Sequence, residues 1–416
     1  MKIVILCDTY YPHINPAANC IERYIPYLTE DNDITIVCPA TVLNKDAVIK
    51  DGTRIEFISC LWNDLRSYCR EREENGTANG LTKVVYKLVR AWGVFLSYFK
   101  FPSRFAWYKK AYYRKLNKIN KEKKIDVIVS VSDPVCAHLA ALKFKKKNPS
   151  VRWVSYSTDP YSENPTLYKN IYFKSCRKNK NLKTESQIYN TADYSILTEE
   201  LIAYAMNLSP SAQSKMYCFP YVLSPIVAQK PGGKGEEHDS SEFVNLVYAG
   251  SLREKVRNPE TLLSIAKNCN GIHLWLYTSG DCEHLFKKYE SDNITVSGLL
   301  PKEQYLSILL NKADVLVNIC NTIDLQAPSK MLELLSTGKP VINFYYKQDS
   351  FYRMIEKYPL GLNVKQGDAK DIRRVEKFCQ ETKGKKLIYE DVARLFPNNT
   401  IGNQVTLLKS MISGVL

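Results

Sequence analysis

Short apolar runs that contain β-branched residues alternate with helical spacing along much of the chain. The first run, Lys2 to Cys7, predicts a buried strand, and the proline-containing loop from Asp8 to Pro16 follows it. Helical spacing then predicts one helix over Ala17 to Leu28, with Pro26 near its end. Two further runs predict strands at Ile34–Cys38 and Arg54–Ile58. This strand, helix, strand order is typical of a parallel, doubly wound α/β sheet.

The strand pattern pauses over a helical, basic and aromatic segment, residues 61–124, and then resumes. The later runs predict strands at Asp126–Val131, Val151–Tyr156, Tyr194–Leu197 and Met216–Phe219. Helical spacing at Cys136–Lys147 predicts a helix between the first two of them. The polar segment Pro225–Ser241 contains several glycines, so it predicts a linker.

A second α/β series follows the linker. Its apolar runs predict strands at Asn245–Ala249, Ile272–Tyr277, Ile294–Val296, Val315–Ile319 and Pro340–Phe344. Helical spacing predicts helices at Pro259–Asn268, Lys302–Asn311, Ser329–Ser336 and Thr400–Ile412. We therefore expect an α/β protein with two Rossmann-like, doubly wound domains facing a cleft. The expected division is 1–222, a linker over 223–241, 242–390, and a helical segment over 391–416 that packs back on the N-terminal domain.

Charge and cysteine content narrow the class of protein. The 416 residues include 58 Lys and Arg against 43 Asp and Glu, a net charge of +15. This excess favours an anionic partner, such as nucleic acid, a phosphorylated substrate or an acidic lipid surface. The twelve cysteines are scattered without a C-x-x-C pair, which argues against a zinc site or disulfide scaffold and fits reduced thiols in the cytosol. No apolar run approaches the ~20 residues that a membrane-spanning helix needs.

The segment from Lys83 to Lys121 departs most from average composition. Its 39 residues include eleven Lys or Arg and eleven aromatic residues but no acidic residue. The aromatic residues include Trp92, Phe95, Phe99 and Trp107. Such side chains could enter the headgroup region of a bilayer while the cations meet anionic lipid. A helical pair with inward aromatic side chains and a base-stacking platform stay open, but amphipathic spacing without an RNA-binding motif favours the membrane surface.

The segment after the predicted strand Asn245–Ala249 is a candidate phosphate site. We expect this strand to end at Ala249, Gly250 to open a turn and Pro259 to begin a helix. The polar residues between them are Ser251, Arg253, Lys255 and Arg257. Glycine lets the backbone approach a ligand, and a helix N-terminus attracts an anion, so the segment could hold a diphosphate. A basic, solvated loop is the alternative.

A second candidate lies at the predicted helix that Pro328 and Ser329 introduce and that Gly338 ends. Lys330 and Glu333 are three residues apart, so they share one face of this helix. A carboxylate there can accept hydrogen bonds from both ribose hydroxyls, and a lysine near the positive end of a helix attracts phosphate. A surface ion pair between the two residues is at least as compatible with the spacing.

Candidate residues in the N-terminal half lie mainly after predicted parallel strands, which is the usual ligand side of such sheets. The first loop supplies Tyr11, His13 and Asn15, and it lacks the G-x-G-x-x-G pattern of a dinucleotide site. A later loop supplies Asp159, which could meet an acceptor hydroxyl or simply belong to an Asp-Pro turn. His138, on a predicted helix, is a candidate for substrate contact, although packing is the commoner role of such a residue.

These residues resemble motifs of the GT-B glycosyltransferases, and of glycosyltransferase family 4 in its bacterial capsule, O-antigen and exopolysaccharide branch. Gly250 and the cations that follow it resemble the loop that holds the donor diphosphate. The run from Pro328-Ser329-Lys330 to Gly338-Lys339-Pro340 resembles the donor motif, with Glu333 in place of the ribose-binding glutamate. Three segments resemble parts of the family's N-terminal domain, namely the Tyr11-Pro12 loop, Ile125–Pro134 and Trp153–Tyr161.

The chain departs from the family pattern at the first glutamate of the E-x7-E motif, where Leu325 stands. Asp324, Gln326 or backbone amides are therefore alternatives for reading the donor sugar. Two other differences are Pro16-Ala17-Ala18 in place of a glycine pair, and Ser157-Thr158-Asp159 where some members carry a histidine.

The resemblance implies a retaining, metal-independent hexosyltransferase without a cofactor, whose substrate is a UDP- or GDP-sugar. Arg257 and Lys330 would stabilise the leaving diphosphate, and Asp159 would act on the acceptor side. The implied acceptor is a lipid-linked oligosaccharide or polysaccharide. Together with the basic segment, this predicts a cytoplasmic protein at the inner face of the cell membrane, which binds acidic lipid and no nucleic acid. The alternatives are a nucleotide-sugar epimerase of the same fold and a non-catalytic basic membrane-binding protein.

Overall fold

A computed structural model of the protein describes the chain except residues 9, 12–15, 41–45, 61–63, 67, 70–71, 73–76, 100–105, 133–134, 169–172, 224–242, 323–329 and 369–370. The chain divides into two compact units. The first unit comprises Met1–Pro220 and Gly402–Leu416, and the second comprises Tyr221–Ile401. Within the described residues, no helix combines the length and the apolar character needed to cross a membrane.

The first unit is built on an eight-stranded sheet. Its strands are β1 (Lys2–Leu6), β2 (Asp33–Pro39), β3 (Val48–Lys50), β4 (Thr53–Ile58), β5 (Val127–Ser132), β6 (Arg152–Ser157), β7 (Tyr194–Leu197) and β8 (Met216–Cys218). Their order is β3-β4-β2-β1-β5-β6-β7-β8, and neighbours pair in parallel except β3 with β4. All residues of β1 and β5 are buried, which is typical of the central strands of a parallel sheet covered by helices on both faces.

Helices follow most strands of this sheet. They are α1 (Pro16–Glu22), α2 (Ile25–Thr29), α3 (Gly80–Phe99), α4 (Ala106–Glu122), α5 (Cys136–Lys147), α6 (Lys174–Thr191) and α7 (Glu199–Leu208). The prediction of one helix over Ala17 to Leu28 is wrong, because the chain turns between α1 and α2. Pro26 lies in the first turn of α2, where its missing N–H costs no helical hydrogen bond.

The second unit contains a six-stranded parallel sheet in the order β11-β10-β9-β12-β13-β14. The strands are β9 (Val244–Leu252), β10 (Ile272–Gly280), β11 (Ile294–Ser297), β12 (Val315–Ile319), β13 (Val341–Tyr345) and β14 (Gly361–Lys365). The prediction that the first of these ends at Ala249 is wrong. β9 continues to Leu252 because β10 is equally long and pairs with it up to Leu252↔Gly280.

The helices of this unit are α8 (Glu260–Asn268), α9 (Glu283–Lys288), α10 (Lys302–Ser307), α11 (Lys330–Ser336), α12 (Ser350–Lys357), α13 (Ile372–Thr382) and α14 (Tyr389–Leu395). A final helix, α15 (Ile401–Ser413), packs almost entirely within the first unit. There the hydroxyl of Tyr24 bonds to Gln404, whose Nε2 donates to the carbonyl of Pro220 at 2.8 Å. The chain therefore ends in the unit where it begins.

Candidate functional site

The direction of chain progression across the second sheet reverses between β9 and β12. The pairing of these two strands runs over Val315↔Leu246 and Leu316↔Val247, after which β9 continues beside β10. In open parallel sheets, ligands bind outside the carboxyl ends of the strands at such a switch point. The turn after β9 and residues 320–322 after β12 therefore frame the candidate site.

Arg257 is fixed between these two segments. Its Nε and Nη2 atoms donate to Oδ1 of Asn321 at 3.1 and 2.8 Å, and its Nη1 donates to the carbonyl of Ser251 at 3.4 Å. Thr322, next to Asn321, donates through Oγ1 to the carbonyl of Lys255 at 2.8 Å. The turn after β9 is thus tied to the end of β12, and the partly buried guanidinium group is held at the switch point.

Lys330, the first residue of α11, approaches the same place from the other side. Its Nζ donates to the carbonyl of Ala249 at 2.9 Å. A Cβ atom on Gly250 would lie 3.4 Å from this Nζ and 3.1 Å from the hydroxyl of Tyr248, so the glycine keeps the approach open. Burial lowers the pKa of Lys330; Glu333 opposes this shift and Arg257 adds to it. An anion that offsets the burial would therefore favour the charged form of this lysine.

Glu333 lies one turn further along α11. Its Oε2 accepts a hydrogen bond from the hydroxyl of Tyr305 in α10, at 3.1 Å. The ring of Tyr305 also faces Lys330, whose Nζ is 5.1 Å from the ring centroid. Burial raises the pKa of Tyr305, and the charge of Glu333 raises it further, so the phenol stays protonated and donates.

The structure thus gathers Gly250, Arg257, Lys330 and Glu333, which the sequence singled out, at one edge of the second sheet. The predicted donor-binding residues differ in their burial. Gly250 is buried, whereas Ser251, near the end of β9, is exposed, as are Arg253 and Lys255 in the segment that follows. The predicted residue Ser329, like Pro328, Asp324, Leu325 and Gln326, lies outside the described residues.

Sequence reasoning missed three residues of this site, namely Tyr248, Tyr305 and Asn321. The partners of Tyr305 and Asn321 lie 28 and 64 residues away in the chain, so no local spacing points to them. The available signal for Asn321 was a polar residue two positions after the predicted buried strand Val315–Ile319.

The candidates of the first unit are less completely described. His13 and Asn15 lie outside the described residues, whereas Tyr11 is partly buried. Asp159 follows β6 and is also partly buried, with Oδ2 3.4 Å from the hydroxyl of Thr158. Their predicted role on the acceptor side stays a prediction.

His138 is enclosed within the first unit. It is 2% exposed, with Nδ1 2.7 Å from Oγ of Ser130 and Nε2 3.1 Å from Oγ of Ser157. The indole of Trp153 donates to the same Ser130 at 2.8 Å. Burial lowers the pKa of His138 to about 3, so the ring is neutral near pH 7. A contact with substrate, which stays a prediction, would have to replace one of these hydroxyls.

A buried carboxylate on α6 anchors the loop that carries Asp159. Glu185 is 3% exposed and accepts hydrogen bonds from the backbone amides of Tyr161 and Ser162, both at 3.1 Å. The hydroxyls of Tyr189 and Tyr204 also donate to it, at 3.1 and 2.9 Å. No local pattern predicted this anchor, because α6 lacks a clear apolar stripe.

The two sheets and their connections define the chain as a GT-B fold, the two-domain Rossmann-like architecture of many glycosyltransferases. No protein-family model and no curated protein sequence matches the chain. The solved structures similar to it include the lipopolysaccharide outer core galactosyltransferase WaaB, with a TM-score of 0.62, 12% identity and all of both chains covered.

Two other solved structures share the fold at comparable similarity. The sucrose-phosphate synthase of Thermosynechococcus elongatus has a TM-score of 0.59 and 12% identity, with 99% of each chain covered. The Anabaena protein HepE, solved with UDP and glucose, has a TM-score of 0.57 and 11% identity over all of both chains. At this identity the similarity establishes the fold.

Proposed function

We propose that the protein is a retaining glycosyltransferase of family 4 type. In this proposal it moves a sugar from a UDP- or GDP-sugar to a lipid-linked oligosaccharide or polysaccharide during synthesis of bacterial cell-surface glycans. The observation that carries the proposal is the convergence of Arg257, Lys330 and Glu333 beside Gly250 at the switch point of the second sheet. HepE was solved with UDP, which supports a nucleotide-sugar donor here.

Each of these side chains has a role in the proposal. Arg257 and Lys330 neutralise the charge that develops on the leaving diphosphate, a task given to these cations rather than to a metal ion. Glu333 accepts hydrogen bonds from the ribose hydroxyls. Asp159, in the first unit, orients the acceptor hydroxyl. Because Asn321 holds the guanidinium fork of Arg257 in advance, little side-chain freedom is lost when the donor binds.

Calorimetric titration of the full chain with UDP, GDP and their sugars tests the donor site. We expect Arg257→Ala to weaken binding by about tenfold or more, because a charge-assisted contact to phosphate is lost. Lys255→Ala, on the exposed part of the same turn, should weaken it by less than about threefold. Arg394→Ala is the control, because this arginine pairs with Asp391 on α14. Equal affinities for Arg257→Ala and Arg394→Ala would contradict the proposed site.

Product analysis tests the reaction. With a labelled donor and a lipid-linked glycan acceptor, we expect the label to enter the glycan, with the anomeric configuration of the donor retained in the product. Release of free, epimerised nucleotide sugar would instead favour an epimerase. Unchanged nucleotide binding in both Arg257→Ala and Glu333→Ala would favour a non-catalytic protein.

The proposal places the protein at the inner face of the cell membrane, docked on acidic lipid through the Lys83–Lys121 segment. One face of α3 supports this, and we call it the α3 apolar face. Its five residues follow one another at intervals of three or four and are 46–73% exposed: Leu81, Val84, Leu88, Trp92 and Phe95. Exposed cations lie beside it on the same helix, at Lys83, Lys87 and Arg90.

The two helices of the Lys83–Lys121 segment differ in the exposure of their aromatic side chains. In α4, Tyr108 and Tyr112 are buried, as the inward-packing interpretation of this segment requires. In α3, Trp92 and Phe95 stack with ring centroids 5.4 Å apart and remain exposed. The side chains of Phe99 and Trp107 lie outside the described part of the structure. The membrane proposal therefore rests on α3 and on the absence of acidic residues from the sequence of the segment.

A further inference from the structure

Tyr305 contacts both ligand-binding candidates of α11 from a neighbouring helix. Its hydroxyl donates to Glu333 Oε2 at 3.1 Å, while its ring centroid lies 5.1 Å from Lys330 Nζ. Glu333 and Lys330 are the side chains assigned above to the ribose and the diphosphate. One residue outside any recognised motif thus contacts the groups meant for two parts of the same nucleotide.

The hydrogen bond restricts the carboxylate of Glu333. A glutamate near the start of a helix has several accessible rotamers, and binding must otherwise select one of them at a cost in entropy. The phenol of Tyr305 stays protonated because burial, and then the charge of Glu333, raise its pKa. It therefore donates persistently to one carboxylate oxygen and fixes the direction of the other.

The ring restricts Lys330 in a different way. An ammonium group within about 6 Å of an aromatic centroid is attracted to the face of the ring. The carbonyl of Ala249 accepts from the same Nζ at 2.9 Å, on the strand that ends at the switch point. The ring and the carbonyl together hold the cation beside Gly250, although burial lowers the pKa of this lysine.

We propose that Tyr305 is a positioning residue of the donor site, and that its hydroxyl sets how strongly the site distinguishes a ribose with both hydroxyls from one without them. This inference rests on the proposed function. It assigns two separable effects to one side chain, because the hydroxyl acts on Glu333 and the ring acts on Lys330. Tyr305→Phe therefore removes the effect of the hydroxyl alone, and Tyr305→Leu removes both effects.

The test is calorimetric titration of the full-length protein with UDP, 2′,3′-dideoxy-UDP and inorganic pyrophosphate, together with the corresponding guanine nucleotides. Tyr305→Phe should lower the affinity for UDP or GDP about fivefold and leave the dideoxy nucleotide and pyrophosphate unchanged, so the affinity ratio falls. Tyr305→Leu should lower that ratio equally. It should also weaken pyrophosphate binding about threefold, because the ring beside Lys330 is lost.

Tyr289→Phe is the matched control. Its hydroxyl donates to Oε1 of Glu260 at 3.2 Å, so the substitution removes a tyrosine–glutamate hydrogen bond of the same unit that involves neither Glu333 nor Lys330. We expect the affinity ratio of Tyr289→Phe to equal that of the wild type. A fall in the ratio for Tyr305→Phe but not for Tyr289→Phe supports the inference, since a general structural defect would weaken the binding of all three ligands together.

Three outcomes overturn the inference. If the wild type binds UDP or GDP and discriminates against the dideoxy form, but Tyr305→Phe keeps the same ratio, only the role of Tyr305 fails. If the wild type binds the ribose and dideoxy forms of the nucleotide equally, the proposed ribose contact fails, and the role of Tyr305 fails with it. If the wild type binds no nucleotide, the proposed function fails as well.

Discussion

At the scale of single residues, side chains of the same type differ in their exposure and in the hydrogen bonds that hold them in place. Arg253 and Arg257 belong to one turn, yet Arg253 is exposed, whereas Asn321 and the carbonyl of Ser251 fix the guanidinium of Arg257. Among the histidines, His138 is enclosed by two serines, whereas the side chain of His284 is 57% exposed. Residue type alone therefore identifies a candidate site residue. The surrounding hydrogen bonds determine whether its side chain can contact a ligand.

The burial of His138 predicts a specific pH dependence of stability. Its folded-state pKa of about 3 lies below the ordinary value of 6.5, so between these values the unfolded chain binds the extra proton. Stability should therefore fall as the pH drops from 6.5, by up to about 1.4 kcal/mol per pH unit from this group. Urea unfolding at a series of pH values measures this dependence. The slope of the free energy of unfolding against pH should be smaller for His138→Gln than for the wild type.

His284→Gln is the comparison variant for this slope, because its ring is exposed and both variants lose one imidazole. We expect His138→Gln to lose less stability per pH unit below pH 6.5 than His284→Gln does. Equal slopes for His138→Gln and the wild type below pH 6.5 would show that burial of this ring is not what couples protonation to folding.

At the scale of elements, the sequence predicted those whose signal is local. Cys136–Lys147 was predicted at its observed bounds because apolar spacing and flanking loops agree there. By contrast α6 was missed, because Asn181 and Glu185 on its buried side are polar and bond to Tyr161. β14 was also missed, because its side chains alternate in burial over only five residues.

The residues of the candidate site also fall into those that local spacing predicted and those that it did not. Lys330 and Glu333 were predicted together, because a separation of three residues places them on one helix face whatever the rest of the chain does. The contacts of Tyr305 and Asn321 depend on how α10 and β12 pack against distant segments, and a single sequence carries no local record of that packing. The ligand side of the sheet could be predicted from topology, but the residues that hold its side chains in place could not.

The end of α11 gives a prediction that belongs to a single element. Gly338 has a φ of +75°, and a Cβ there would lie 2.0 Å from the carbonyl oxygen of Leu387. Gly338→Ala should therefore lower the free energy of unfolding by more than about 2 kcal/mol, through backbone strain and a clash with backbone. Urea unfolding of the full chain measures the loss.

Gly384→Ala separates strain from clash. Gly384 has nearly the same φ, +73°, but nothing lies within 4 Å of the position of its Cβ. This variant should lose only the strain, about 1 kcal/mol. Equal losses for the two variants would mean that the contact with Leu387 adds no cost beyond left-handed backbone.

At the scale of the whole molecule, charge and exposed apolar surface occur in the same segment. The chain carries a net charge of +15, and the sequence from Lys83 to Lys121 contributes cations without a single acidic residue. Scattered exposed apolar side chains are ordinary in proteins, whereas five at helical spacing form a continuous apolar face of the kind that marks interaction surfaces. The proposed acidic bilayer would satisfy both features, because its headgroups would attract the cations and its hydrocarbon boundary would accept the side chains of the α3 apolar face.

This arrangement predicts how binding to vesicles depends on charge and on the α3 apolar face. The full chain should sediment with vesicles that contain anionic lipid, and less so as salt screens the cations. Leu88→Glu, at the centre of the face, should lower the partition coefficient about tenfold, because it replaces an apolar side chain that we propose to insert with an anion that the bilayer would repel. Ile49→Glu is the control, because Ile49 is 78% exposed but lies on β3. Failure of the wild type to sediment at low salt, or equal sedimentation of Leu88→Glu and Ile49→Glu, would contradict docking through this face.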